Sequence, residues 1–241
     1  MNKCSKLFLQ FLLVVAFTLG LNLTQAFAGE WMTPPQVVAP REKAFALSYE
    51  EWTARWWQYV LGSPNDANIY TDLTGQYCGL GQWGPVFFLA GYPSPYGQRV
   101  CTIPAGKGLL IPVINFAGSV PDDGPTIQDV ISLYTGYADL IDVDSLSFEV
   151  DGLRVRNLAN YRFKTPIFSL TGAVPNFSSD GGCQYTTPHC YENFHAQAWA
   201  DGYWVMLKPL SPGIHTIHFH AEIPDWSVVQ DTTYHLIVLK K

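Results

Sequence analysis

The sequence predicts a mainly β protein, an antiparallel β-sandwich of jelly-roll type, with one Trp-rich helix and one shorter helix. Three observations predict it. Charged side chains make up only 14% of the 241 residues, while aromatic ones reach 15%, a balance suited to a chain that turns much of its surface inward. Seventeen prolines and twenty glycines punctuate short apolar or alternating runs, as in many strands joined by turns. Helical spacing is confined to residues 48–62 and 126–141.

The first 28 residues read as a secretory signal peptide. A short basic start with Lys3 and Lys6 leads into an apolar run, and Ala26 and Ala28 stand at the −3 and −1 positions of a cut after Ala28. The mature chain would run from Gly29 to Lys241 and carry twelve basic against twenty acidic side chains. An acidic chain of this kind disfavours nucleic acid and anionic membrane surfaces as partners. No later apolar run is long enough to span a bilayer, so no stable membrane insertion is expected after cleavage. The expected location is the periplasm or the medium.

Residues 29–45 lack periodicity and read as an extended N-terminal arm, followed by a single domain over 46–241. The domain opens on the Trp-rich helix. Ser48 and Glu51 form a capping box, and Gly62 is placed to close the helix in left-handed geometry before Pro64. Trp52, Trp56, Tyr59 and Val60 share one face, with Trp57 and Leu61 widening it, which is a packing signal before it is anything else. Residues 65–84 are a polar, Gly-rich loop. Strands are expected at Val86–Ala90, Gln98–Ile103 and Leu109–Asn115, with Pro112 marking an edge or a bulge. Ile127, Val130, Ile131 and Tyr134 give the shorter helix.

Asp151-Gly152 is a two-residue type I′ turn between alternating strands. A further strand over 161–170 is interrupted by Pro166, and residues 172–193 are a loop. Asp201-Gly202 reads as a turn into a strand. The expected C-terminal hairpin joins Gly202–Leu207 to His215–Ala221 through Ser211-Pro212-Gly213. A last strand covers residues 232–239.

Four cysteines remain after the signal segment, an even count that favours disulfides in an exported chain. Cys78–Cys101 and Cys183–Cys190 are the expected pairs, because each flanks a local excursion of the chain. Cys183, His189, Cys190 and His195 could instead form a metal cluster, but their spacing fits no common zinc pattern.

The stretches EWTARWWQ, TGQYCGLGQWGPVFFLAG, RVCTIPAGKGLLIPVIN and ADGYWVMLKPLSPGIHTIHF, with the final YHLIV, carry a resemblance across most of the mature chain. The chain resembles a family of uncharacterised exported bacterial proteins. The resemblance implies export and a compact domain. It carries no established activity and no catalytic residues.

Two kinds of chemistry compete. His218, His220 and Glu222 alternate along one strand and share a face, a donor set suited to Zn, Cu, Mn or Fe. The H-x-H pattern looks a little like the first cupin motif, although no Gly-Pro-Gly-His second motif follows. The alternative is an ordinary polar face opposite Ile217 and Phe219. Loop aromatics supply the second kind. Trp226, Trp83 and Tyr185 are candidates to stack on a small molecule, a glycan or an envelope protein. No G-x-S-x-G elbow and no phosphate-binding Gly loop occurs. The expected role is therefore non-catalytic binding without a cofactor. A cupin-like metal protein or metalloenzyme is the alternative.

Overall fold

A computed structural model describes residues 36–63, 67–91, 97–172 and 194–241. The signal segment, the Cys183–Cys190 pair, His189 and Tyr185 lie outside the described residues, as does the side chain of His195.

Helix α1 (Tyr49–Gly62) starts where the sequence places it. The Glu51 N–H donates to Ser48 Oγ at 3.4 Å, and the Ser48 N–H donates to the Glu51 carboxylate at 2.8 Å. Its end differs from expectation. Gly62 is the last helical residue, and the chain leaves through Ser63 in extended backbone. The Asn68 amide donates to the Val60 carbonyl at 2.7 Å and the Ser63 hydroxyl to the Tyr59 carbonyl at 2.7 Å. These bonds satisfy the terminal carbonyls that a left-handed glycine would otherwise help to satisfy.

Two five-stranded sheets follow. The first orders β1 (Val86–Phe88), β3 (Gly108–Ser119), β8 (Phe194–Leu207) and β6 (Arg162–Lys164), with β7 (Phe168–Gly172) also paired to β8. The second orders β2 (Gly97–Ile103), β10 (Val228–Val238), β9 (Gly213–Ile223), β4 (Asp142–Val150) and β5 (Leu153–Arg154). The mainly β character is as predicted, and each sheet is mixed. β1 runs parallel to β3, and β2 parallel to β10, while the other pairs are antiparallel. The parallel pair in the first sheet arises because β2 lies in the other sheet. The chain leaves after β1 and returns in the same direction as β3.

The stretch expected to be a C-terminal hairpin is divided between the sheets. β8 is flanked by β3 on one side and by β6 and β7 on the other, which occupies its edges. β9 pairs instead with β10 and β4. Residues 208–212 carry the chain across. Asp201-Gly202 is likewise no turn but the middle of β8. Asp201 is fully buried and accepts two bonds from the Arg162 guanidinium, at 2.9 and 2.7 Å. Gly202 is required by close approach, since a Cβ there would lie 2.4 Å from the Asn115 Cα on β3.

The remaining punctuation behaves as its chemistry dictates. Pro112 sits beside a bulge inside central strand β3 rather than on an edge. Asp151 and Gly152 both take positive φ, as a type I′ turn demands. Thr165-Pro166-Ile167 separates β6 from β7. Helix α2 (Ile127–Asp139) carries a second capping box, Thr126 with Asp129, which the periodicity alone did not reveal.

The Trp stripe of α1 is core, laid on the first sheet. Trp56 is fully buried, donates to the Leu89 carbonyl at 2.6 Å and meets Trp204 edge-on at 5.2 Å. Tyr49 stacks on Phe163 at 4.2 Å, and its hydroxyl donates to the Val38 carbonyl while accepting the Met206 N–H. Each such ring contributes about 3–5 kcal/mol, judged by truncation to alanine. Ile217, Phe219, Tyr234 and Leu236 fill the inner face of the second sheet. The described residues cluster as one compact unit. No helix among the described residues is long and apolar enough to cross a membrane.

Candidate functional site

Strand alternation puts His218, His220 and Glu222 on the outer face of β9, opposite buried Ile217, Phe219 and Ala221. Asp231 on neighbouring β10 completes the group. His218 Nε2 lies 3.1 Å from Asp231 Oδ1, and His220 Nδ1 lies 3.0 Å from Asp231 Oδ2. His220 Nε2 lies 3.0 Å from Glu222 Oε1. Both nitrogens of His220 thus already face carboxylates, and a metal would have to displace one of them. Among the described residues, no group of three or more His, Cys, Asp or Glu is arranged to hold a metal ion.

A second place was only half visible in the sequence. A cavity of about 350 Å³ opens beside the C-terminal half of β3. Trp57 of α1, Phe116 of β3, Tyr134 and Tyr137 of α2, Tyr70 and Trp226 supply its aromatic wall. Trp226 reaches it from the short 3₁₀ turn Pro224–Trp226 between β9 and β10, so both sheets contribute. The rings meet edge to face. Tyr137 lies 4.9 Å from Trp226, 5.3 Å from Tyr134 and 5.8 Å from Phe116, at interplanar angles of 64–79°.

The sequence builds this corner locally. Tyr134 and Tyr137 are three residues apart on α2 and share a face. Gly118 lets the Tyr134 ring lie against β3, because a Cβ there would come within 2.0 Å of that ring. Tyr70 is fixed from behind. Buried Arg99 donates to the carbonyls of Ala90, Ile69 and Tyr70 and to the Tyr234 hydroxyl. The Cys78–Cys101 disulfide ties the same loop to β2, with 6.0 Å between the Cα atoms.

Asp123 stands at one side of the cavity. It accepts the Ser119 N–H at 2.8 Å and the Tyr134 hydroxyl at 2.7 Å. Burial, reinforced by that bond to Asp123, raises the Tyr134 phenol far above its ordinary pKa and keeps it neutral. Asp122 also lines the space. Two polar atoms of lining residues are turned away from the space. Trp57 Nε1, a donor, and Asn115 Oδ1, an acceptor, are sealed from solvent and have no hydrogen-bond partner among the described residues. Asn115 also lines a smaller adjoining cavity of about 170 Å³, whose wall includes Tyr70, Phe116 and Trp226 again.

Of the aromatic candidates, Trp226 lines the cavity. Trp83 does not; it is 68% exposed on the loop before β1. Sequence reading missed Trp57 as a wall residue, together with Asn115, Tyr134 and Tyr137. A lone amide inside the apolar run 109–117 is the one sign that could have flagged Asn115.

No protein family and no curated protein matches this sequence. Among solved structures, the solution structure of Amebosin aligns with 59% of this chain and 95% of its own, at 10% identity and a TM-score of 0.18. The structure of PbICP-C in complex with falcipain-2 aligns with 67% and 96%, at 10% identity and a TM-score of 0.21. Likenesses this slight carry no argument about fold or function.

Proposed function

We propose that this is an exported, non-catalytic binding protein that takes a small molecule into the aromatic cavity beside β3. One observation carries the reading. Six rings from α1, β3, α2, the Tyr70 loop and the β9–β10 turn converge on one space, and Asn115, Ser119, Asp122 and Asp123 are its polar lining residues. Small-molecule sites combine an apolar, aromatic lining with a few placed polar groups, and 350 Å³ falls at the small end of their range. Export is supported by the Ala26-x-Ala28 cleavage pattern and by the disulfide, which favours an oxidising compartment.

A fragment library screened by saturation-transfer NMR tests the reading. Small ring fragments should bind the wild-type protein. Trp226→Ala, with its fold checked by near-ultraviolet circular dichroism, should lose at least tenfold in affinity. A library without a single binder, or binding untouched by Trp226→Ala, would overturn it.

A second reading, a transition metal held by His218, His220 and Glu222, draws on the convergence of both imidazoles on Asp231. Elemental analysis of untagged protein separates the two. About one equivalent of metal, lost in the His218→Ala/His220→Ala double variant, would favour the metal reading. Metal-free protein that still binds fragments favours the cavity.

A further inference from the structure

Resting on that reading, we infer that the cavity selects a small organic ammonium ion, methylated or quaternary. Three features point the same way. The first is ring geometry. Phe116, Tyr134, Tyr137 and Trp226 form a chain of mutually steep contacts, including 79° between Phe116 and Trp226 at 5.6 Å. Rings set across one another present π-faces from more than one side, and each face is the negative end of the ring quadrupole. A cation within about 6 Å of several such faces is attracted by all of them, and most strongly where water is excluded.

The second feature is charge. Among the described residues that line the cavity there is no Lys, Arg or His, while Asp122 and Asp123 both border it. Neighbouring Tyr134 spends its hydroxyl proton on Asp123 and so offers an anionic guest no free donor. A carboxylate or phosphate ligand would enter beside the Asp123 carboxylate with no cation in the described lining to receive it. A cation meets the opposite field.

The third is the kind of cation. Asp123 already accepts the Ser119 N–H on one oxygen and the Tyr134 hydroxyl on the other, so part of its acceptor capacity is spent. Asn115 Oδ1 is sealed from solvent. A bare metal ion or a primary ammonium needs several open oxygen acceptors to replace its water. A methylated ammonium presents apolar methyl groups around a diffuse charge and needs few, and aromatic walls suit it.

Isothermal titration with choline, tetramethylammonium and 3,3-dimethylbutan-1-ol tests this. The alcohol is choline with carbon in place of nitrogen, so it has the same shape and no charge. Choline and tetramethylammonium should bind, and the neutral isostere at least tenfold more weakly than choline. Tyr137→Leu and Asp123→Asn should each weaken choline severalfold, with the isostere unaffected by Asp123→Asn. Equal binding of choline and its isostere would overturn the charge selectivity while leaving small-molecule binding intact. Absence of binding by both ammonium ions would overturn the inference outright. The fragment screen then decides separately whether the cavity binds anything.

Discussion

The outer face of the second sheet and the cavity beside β3 both gather polar and aromatic side chains, and they treat them in opposite ways. On the sheet, the polar groups complete one another. His218 and His220 share the Asp231 carboxylate, and Glu222 takes the remaining nitrogen of His220. Beside the cavity, Trp57 Nε1 and Asn115 Oδ1 are buried and incomplete among the described residues. A buried polar group without a partner costs about 1–3 kcal/mol. A chain that tolerates two of them in residues beside one cavity has accepted a stability penalty there. The conspicuous sequence motif marks the self-sufficient region; the scattered residues mark the needy one.

The largest test of this contrast is removal of the Cys78–Cys101 disulfide, which anchors the loop carrying Tyr70. Cys78→Ala/Cys101→Ala should lower the unfolding free energy by about 3 kcal/mol, a typical value for a loop of this length. Amide exchange should rise across residues 67–91 and stay slow across β9. Unchanged stability in urea, or equal loosening of both regions, would erase the distinction.

Two single substitutions should then move stability in opposite directions. Asn115→Leu replaces an incomplete amide with an apolar group of similar shape, and should raise the unfolding free energy by up to about 1 kcal/mol. Asp231→Ala strips both histidines of an acceptor and should lower it by about 1 kcal/mol. Chemical denaturation reads both, and a destabilised Asn115→Leu protein would count against the idea of an unmet group.

The smallest effect is one of pH. Burial works against protonation of His215, but the Asp151 carboxylate at 2.7 Å and the Ser211 carbonyl outweigh it and raise its pKa. A raised folded-state pKa gives stability that is complete below the ordinary histidine value and lost as pH rises through the folded one. Because Asp151 is partly exposed, the ion pair is worth about 0.5 kcal/mol. Asp72 behaves in the opposite sense. Burial opposes its ionisation, yet the N–H groups of Tyr77, Thr74 and Gly75 prevail and hold its carboxyl below the usual range. Its contribution is complete above the ordinary aspartate value and is lost as pH falls through the folded one. Acid should therefore loosen the cavity-side loop first, and mild alkali the Asp151 turn. Thermal unfolding of His215→Gln and Asp72→Asn across pH 3 to 9 would expose any failure of this ordering.

Local rules explain what was legible. Ser48 with Glu51, Asp151-Gly152 and the alternation at His218 and His220 each depend on neighbours within a few residues, and each stands in the structure as the sequence implies. Partner choice does not depend on neighbours. Nothing near Ser211-Pro212-Gly213 says that β8 and β9 belong to different sheets, because that follows from β3, β6 and β7 occupying both edges of β8. The cavity was hidden for the same reason. Its wall draws on Trp57, Tyr70, Asn115, Tyr134 and Trp226, spread over 170 residues and five separate segments of the chain. Trp226 was noticed as a loop aromatic; that it faces Tyr137 is a fact of assembly.

The division of β8 from β9 also sets a timetable. β8 is the hub of the first sheet, paired with β3, β6 and β7, while β9 and β10 are two of the three inner strands of the second. β8, β9 and β10 fall within residues 194–238, after every other described strand. Before residues 194–238 are made, only the β1–β3 and β4–β5 pairs have both of their strands: β3, β6 and β7 await β8, β4 awaits β9, and β2 awaits β10. Neither sheet can be completed until the last fifth of the chain arrives. Contacts of such long sequence separation form slowly, and until they do the apolar faces of seven strands stay open to wrong partners. Most strand pairing thus depends on the last three described strands.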